Sequence, residues 1–376
     1  MKILILSCNT GEGHNSAARA IRNHLIEHQV DCNVTDTLSL VGDTFSKRIS
    51  RLYIFSTQNN LFKYLYRIGA RISEFLETVK SPVYYWNSSY SDRLLELIRA
   101  DRYDAVICVH LFPAEAMTAL RHKGKSDIPA IFVMTDYTCI PFLDETDLDS
   151  YVIPHEHLIE EFAENGIPRS KLHPFGIPVD KTFHSWRSKE EARREAAEAF
   201  GWDIPLQSNW FLVMTGSMGF GNTQSIIDET ISQSFDSTEI IAVCGRNEEM
   251  LQHLKEENRH IRTVHPIGFT DKIPLLMDAC DVLFTKPGGI SSTEAMSKQI
   301  PIIHTAPIPG CETRNAEFFH YHGMSYSCTD PAQQVRTALR LCNDAEFRKT
   351  MTGAQKLNAR PDTCQNILGL FRGRVS

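Results

Sequence analysis

The stretch that decides the fold is Lys2-Ile-Leu-Ile-Leu-Ser7, followed by Cys8-Asn9-Thr10-Gly11-Glu12-Gly13-His14-Asn15 and a run of helical period over 16–29. A short unbroken apolar run reads as a strand buried on both faces, and the 3.6-residue period after it reads as a helix. The glycines between them allow a tight turn, and the helix start offers unpaired N–H groups and a positive dipole end. Working outward, 32–37 reads as a second strand, 91–99 as a helix, and 103–110 and 130–135 as further strands. Residues 150–154 add one more short strand. This alternation predicts a parallel, doubly wound α/β sheet.

Between 171 and 181 the chain reads KLHPFGIPVDK, whose prolines and glycine suit a stiff linker. A charged helix is expected over 188–200, and a second α/β series follows. Its strands are expected at 210–215, 239–244, 263–266, 282–285 and 301–304. Two Rossmann-like halves of this kind face a central cleft at the carboxyl ends of both sheets. The expected boundaries are 1–172, a linker over 173–186, a second domain over 187–352, and a C-terminal helix over 353–376 returning to the first domain.

Composition narrows the function classes. The chain has 376 residues, 42% of them hydrophobic and 23% charged, which is globular. With 39 Lys+Arg against 46 Asp+Glu the net charge is -7, which counts against a nucleic-acid partner. The ten cysteines show no CxxC spacing and read as reduced, buried thiols rather than disulfides or a zinc site. The run 2–7 is too short for a signal peptide, and no stretch has the roughly 18 apolar residues of a membrane span. A soluble protein of the cytoplasm is expected.

Four glycine-bearing turns follow strands. In the first, Ser16 stands where a dinucleotide-binding G-x-G-x-x-G would have its last glycine, so NAD is disfavoured. His14 is the one group in that turn that titrates near neutral pH; it either hydrogen-bonds the turn or acts as a base. The others are Thr215-Gly216-Ser217-Met-Gly219-Phe-Gly221, Cys244-Gly245-Arg246-Asn247, and Thr285-Lys-Pro287-Gly288-Gly289-Ile-Ser291-Ser292-Thr293-Glu294. Adjacent glycines at a helix start suit close approach to a pyrophosphate. Ser291 with Glu294 also fits an S-x-x-E capping box, a purely structural account of both. Together the last three turns favour a nucleotide diphosphate site in the second half.

Gly11-Glu-Gly13-His14 taken with Lys286-Pro-Gly-Gly-Ile-Ser-Ser-Thr-Glu-Ala295 resembles the processive diacylglycerol glucosyltransferases and monogalactosyldiacylglycerol synthases, glycosyltransferase family 28-like enzymes of the GT-B fold. Pro309-Gly310-Cys-Glu312-Thr-Arg-Asn315-Ala316 is similar to that family's P-G-x-E-x-x-N-A segment. The resemblance covers most of the chain and extends more distantly to the N-acetylglucosaminyl transferase that makes lipid II. It implies an inverting, metal-independent hexosyltransferase that uses UDP-glucose or UDP-galactose as donor substrate, with no further cofactor. Carried over by position, Gly245 and Phe269 flank uracil, with Arg246 beside them, and Glu294 holds the ribose hydroxyls. Gly288, Gly289, Ser291, Ser292 and Thr293 receive the diphosphate, and Pro287, Gly216 and Ser217 also belong to the donor site. Glu312 and Asn315 touch the donor sugar, and Gly11, Gly13 and His14 face the reaction centre.

Thr135-Asp136-Tyr137 matches a T-D-aromatic segment of the family, whereas Cys139-Ile-Pro-Phe142 stands where members often carry His and Trp. That departure bears on the acceptor. Inversion needs a base for the acceptor hydroxyl, and either His14 or Asp136 can fill that place; Asp136 can instead orient His14. Asp147-Leu-Asp149 forms a D-x-D but lies in an acidic run and reads as a solvated loop, and His155 with His157 reads as a surface pair. Residues 44–73 carry Lys47, Arg48, Arg51, Lys63, Arg67 and Arg71, interleaved with aromatics and without an acidic residue. Such a stretch is either a helix pair with an aromatic core or a docking face for an anionic membrane.

The expectation is hexose transfer from a UDP-sugar to a lipid hydroxyl, diacylglycerol first, by a protein resting on the cytoplasmic face of the membrane. The competing expectations are another hydroxyl acceptor, or a UDP-N-acetylglucosamine 2-epimerase of the same architecture. Glucose and galactose donors differ at one stereocentre, so the sequence leaves that choice open, as it does processivity and oligomeric state.

Overall fold

The computed structural model describes residues 1–9, 12–41, 80–214, 223–234 and 237–372. Gly11, Gly216, Ser217 and the basic aromatic segment 44–73 lie outside them. The chain forms two compact units, Met1–Asp180 with Arg360–Ser376, and Lys181–Ala359.

In the first unit β1 (Lys2–Ser7), β2 (Asp31–Asp36), β3 (Ala105–Cys108), β4 (Ala130–Val133), β5 (Ser150–Val152) and β6 (Leu172–His173) form one sheet in the order β2-β1-β3-β4-β5-β6. Every pairing is parallel. Ile3, Leu4, Ile5 and Leu6 are all fully buried, as a strand covered on both faces must be. One face packs Ile3, Ile5, Ile107, Val109, Ile131 and Val133 against Ile21 and Leu25. Ile367, Leu368 and Phe371 of the terminal helix Thr363–Arg372 complete that core.

The helix after β1 runs Glu12–Glu27, four residues ahead of the expected start at 16, so Gly13 and His14 belong to its first turn. A polar net shortens the turn: Ser7 Oγ donates to Asn15 Oδ1 (2.7 Å), Asn15 Nδ2 to Asn9 Oδ1 (3.2 Å), and the Asn9 N–H to Asp36 Oδ1 (3.2 Å). Where the chain leaves the sheet, Gly176 has φ 103°, and a Cβ there would come within 2.6 Å of Arg360 Cβ and 2.7 Å of Thr363 Oγ1. Only glycine lets the outgoing strand cross this close beneath the returning segment. Arg360 is tied down by Glu156, whose oxygens lie 2.7 and 2.8 Å from its Nη2.

In the second unit β7 (Asn209–Met214), β8 (Thr238–Val243), β9 (Val264–Ile267), β10 (Val282–Thr285), β11 (Ile302–His304) and β12 (Tyr326–Ser327) follow the order β12-β11-β10-β7-β8-β9, again all parallel. Phe211, Val213, Ile240, Ala242 and Phe284 pack beneath Ile226, Ile227, Leu251, Val335 and Leu341. The helix Lys189–Phe200 carries a true capping box, with Ser188 and Glu191 satisfying one another's backbone N–H groups. The two-residue strands β6 and β12 are too short to leave a periodic signal.

Candidate active site

In each sheet the strand order reverses once, between β1 and β3 in the first and between β7 and β10 in the second. Loops diverge at such a point and leave a crevice at the carboxyl ends of the strands. His14 lies at the first reversal. Its Nδ1 is 2.8 Å from the Val109 carbonyl beyond β3, and 3.2 Å from Thr135 Oγ1 beyond β4. A carbonyl only accepts, so Nδ1 carries the proton, and neutral His14 keeps its lone pair on Nε2. Burial lowers the imidazole's pKa from 6.5; the Asp136 carboxylate and the Val109 bond oppose that fall. His14 is thus neutral at neutral pH, with a carboxylate placed to favour the imidazolium once a proton arrives.

No motif or spacing singles out His110, whose ring meets His14 edge-on at 4.7 Å. It is buried, its Nδ1 accepts the Phe112 N–H at 3.1 Å, and burial holds its pKa well below the usual range. His110 is therefore a neutral wall beside His14, and its N-cap role gives it a structural reason to be there. Glu161 was equally hidden. Its Oε1 accepts from Thr138 Oγ1 (2.6 Å) and the Cys139 N–H (2.8 Å), which pins the loop after Asp136. A lone Glu on a distant helix leaves no mark in spacing.

The other candidate clusters have structural roles. Asp147 bonds Lys171 and Asp149 bonds Arg121, each at 2.7 Å, so the D-x-D ties neighbouring loops. His155 is buried rather than on the surface, because its Nδ1 caps the His157 N–H and its Nε2 faces Arg360; His157 itself is exposed. Among the described residues no three His, Cys, Asp or Glu side chains group as a metal ion would require. All ten cysteines are free.

In the second unit the loop after β10 leads into the helix Gly289–Lys298. Gly288 is its N-cap and no side chain caps it, which removes the capping-box account of Ser291 and Glu294. Ser291, Glu294 and Gly288 are partly exposed. Ser292 and Thr293 are buried: Ser292 Oγ bonds His304 Nε2 at 2.9 Å, and Thr293 Oγ1 donates to the Gly289 carbonyl at 2.7 Å. Ser325 Oγ meets the other His304 nitrogen at 3.0 Å, and burial pushes this histidine's pKa down to about 3. The loop beyond β8 presents Gly245 and Arg246, and the Arg246 guanidinium stacks 5.0 Å from the ring of Phe269. Phe269 stands 63% exposed, an aromatic face held open beside a cation.

Glu312 lies in the first turn of the helix Cys311–Tyr321; its Oε1 is 2.6 Å from Lys286 Nζ, and its Oε2 accepts the Ile308 N–H at 2.9 Å. Asn315 is fully buried and donates to the Pro287 carbonyl at 3.0 Å. The structure thus gathers Pro287, Gly288, Gly289, Glu312 and Asn315 at one place, and Gly245, Arg246 and Phe269 at another end of the same sheet.

Comparison with known proteins finds a family for each half of the chain. Residues 14–179 match the monogalactosyldiacylglycerol (MGDG) synthase family and residues 207–357 match glycosyl transferases group 1. A processive diacylglycerol beta-glucosyltransferase of Bacillus cytotoxicus is 25% identical over 376 residues, covering 98% of this chain and 93% of its own. MurG of Acinetobacter baumannii is similar in structure, with TM-score 0.63 and 15% identity over 99% of both chains. HepE of Anabaena, solved with UDP and glucose, has TM-score 0.59 and 13% identity over 99% of both chains. With two parallel six-stranded sheets, each reversing its strand order once, the chain has the GT-B fold; its first half is similar to the MGDG synthase family and its second to the group 1 glycosyl transferases.

Proposed function

We propose that the chain transfers a hexose from a UDP-sugar to a hydroxyl of diacylglycerol, with inversion and without a metal ion. The observation that carries this reading is the Nδ1–Val109 hydrogen bond of His14, which leaves Nε2 as a neutral base at the sheet's reversal point. The acceptor rests on the relatives, processive diacylglycerol beta-glucosyltransferases similar over 98% of this chain.

In this reaction Nε2 of His14 removes the acceptor's hydroxyl proton as that oxygen bonds to the anomeric carbon. The bond from that carbon to the diphosphate oxygen breaks, and UDP leaves with the electron pair. Asp136 stabilises the imidazolium that results. The N-terminus of the helix Gly289–Lys298, approached over Pro287, Gly288 and Gly289, stabilises the leaving diphosphate, with Ser291 at its edge; Gly216 and Ser217 are assigned to the donor as well. Ser292 and Thr293, whose hydroxyls are used internally, act through the backbone. Phe269 and Arg246 take the base beside Gly245, Glu294 the ribose, and Glu312 the sugar, while Asn315 holds the loop that carries Pro287. Gly11 and Gly13 are assigned to the reaction centre with His14 by the family resemblance. Among the described residues no helix is long and apolar enough to cross a membrane. Residues 44–73 supply the contact with an anionic bilayer in which the acceptor resides.

The test is UDP release from UDP-glucose and from UDP-galactose, with and without diacylglycerol in vesicles. Release that depends on diacylglycerol with one of the two donors is expected. Release indifferent to diacylglycerol, or interconversion of UDP-N-acetylglucosamine without any acceptor, would overturn the reading.

A further inference from the structure

Lys286 opens the loop Lys286-Pro287-Gly288-Gly289 and has no part in the roles above. Its ammonium lies 2.6 Å from Glu312 Oε1, and the two side chains are 25% and 14% exposed, so water screens the pair only in part. The second carboxylate oxygen is held by the Ile308 N–H at 2.9 Å. Three residues beyond Glu312, Asn315 reaches back to the Pro287 carbonyl at 3.0 Å. The loop that follows β10 is therefore fastened at two points to the helix Cys311–Tyr321, and one of them is an ion pair.

The geometry points to Lys286 as the positioning residue for Glu312, fixing its carboxylate so that it meets the donor hexose; this rests on the proposed reading in which Glu312 accepts hydroxyls of that sugar. A glutamate has three rotatable torsions, and one backbone bond to Oε2 leaves the plane of the carboxylate free to turn. A second anchor on Oε1 sets that plane. Each oxygen retains a lone pair for a sugar hydroxyl, since an ionised carboxylate has about four acceptor positions. The cation also offsets the carboxylate's negative charge, which lies in a site that must admit a diphosphate. The ion pair contributes orientation to the site more than stability to the fold.

The experiment measures binding of UDP and of UDP-glucose by calorimetry to the full chain, to Lys286→Met, Lys286→Arg and Glu312→Ala, and to the Lys286→Met/Glu312→Ala double variant. Lys286→Met is expected to weaken UDP-glucose about tenfold or more while changing UDP by less than about twofold. Lys286→Arg, which keeps a cation on the carboxylate, restores most of that loss. In the Glu312→Ala background, Lys286→Met adds nothing further, the non-additivity expected of one shared interaction. Equal losses for UDP and UDP-glucose would make Lys286 a phosphate ligand and overturn the positioning role. An additive double variant would overturn it as well. A separate outcome identifies failure of the underlying reading: Glu312→Ala leaving the difference between UDP-glucose and UDP unchanged. Should Lys286→Met not fold, Lys286→Gln is read by the same criteria.

Discussion

His14 and Val109 are joined across the gap between two neighbouring strands, the imidazole Nδ1 donating to the carbonyl at 2.8 Å. The bond selects a tautomer, and the tautomer selects which nitrogen can take a proton. His14→Ala should lower turnover by about 100- to 10,000-fold, the usual worth of a general base. UDP affinity, measured by calorimetry, should stay within about twofold; a large loss would place His14 in donor binding instead.

The acid limb of kcat/KM should lie below 6.5, since burial lowers the His14 pKa. Asp136 opposes that lowering, so Asp136→Asn should move the limb to still lower pH. The same variant should reduce kcat, because the imidazolium loses its counter-charge. A limb that stays in place would separate Asp136 from the base.

His304 packs against the helix Gly289–Lys298 with both nitrogens bonded to serines, and its pKa is down to about 3 in the folded state. Unfolded, the group titrates near 6.5, so below that pH the unfolded chain takes up a proton that the folded chain refuses. Stability contributed by the neutral histidine is whole above pH 6.5 and drains away as pH falls towards 3. His304→Phe should flatten the denaturation free energy by about 1.4 kcal/mol per pH unit across that window. An unchanged slope would contradict the burial argument.

Glu115 shows the opposite sign. It is fully buried, accepts the Asn87 amide on Oε2, and has no partner on Oε1 among the described residues. Burial raises its pKa to about 8, with Glu145 and Asp144 adding to the rise and Asn87 and Lys80 opposing it. Its contribution is whole below about 4.5 and is lost as pH rises through 8. Glu115→Gln should abolish that alkaline loss in urea titrations at pH 5 to 9; persistence of the loss in the variant would assign it elsewhere.

Replacing Lys47, Arg48 and Arg51 by Glu should reduce sedimentation with anionic vesicles and leave binding to neutral vesicles unchanged. Each cation near an anionic surface contributes roughly 1 kcal/mol, so the triple reversal should weaken binding at least about 100-fold at low salt. Undiminished sedimentation would sink the membrane face.

Much of the fold was readable because a parallel strand buried on both faces must be apolar without interruption, as β1, β3 and β4 are. Helix starts were less readable. The S-x-x-E pattern at Ser188 makes a capping box, whereas the same pattern at Ser291 lies inside a helix begun at Gly288. Pattern alone could not separate them, since the difference lies in which residue the preceding strand delivers to the helix start. The site residues proposed from sequence were mostly those beside glycine turns. His110, Glu161, His304 and Lys286 were missed because their partners lie 96, 22, 12 and 26 positions away, at separations that only the sheet order brings together.

The helix Thr363–Arg372 seals the core of the first unit with a stretch of chain made after the whole second unit. During synthesis, β1 and its neighbours wait with one apolar face uncovered while the whole second unit, Lys181–Ala359, is made and can close on its own. The order of completion is therefore reversed relative to the order of translation: the unit begun first is finished last.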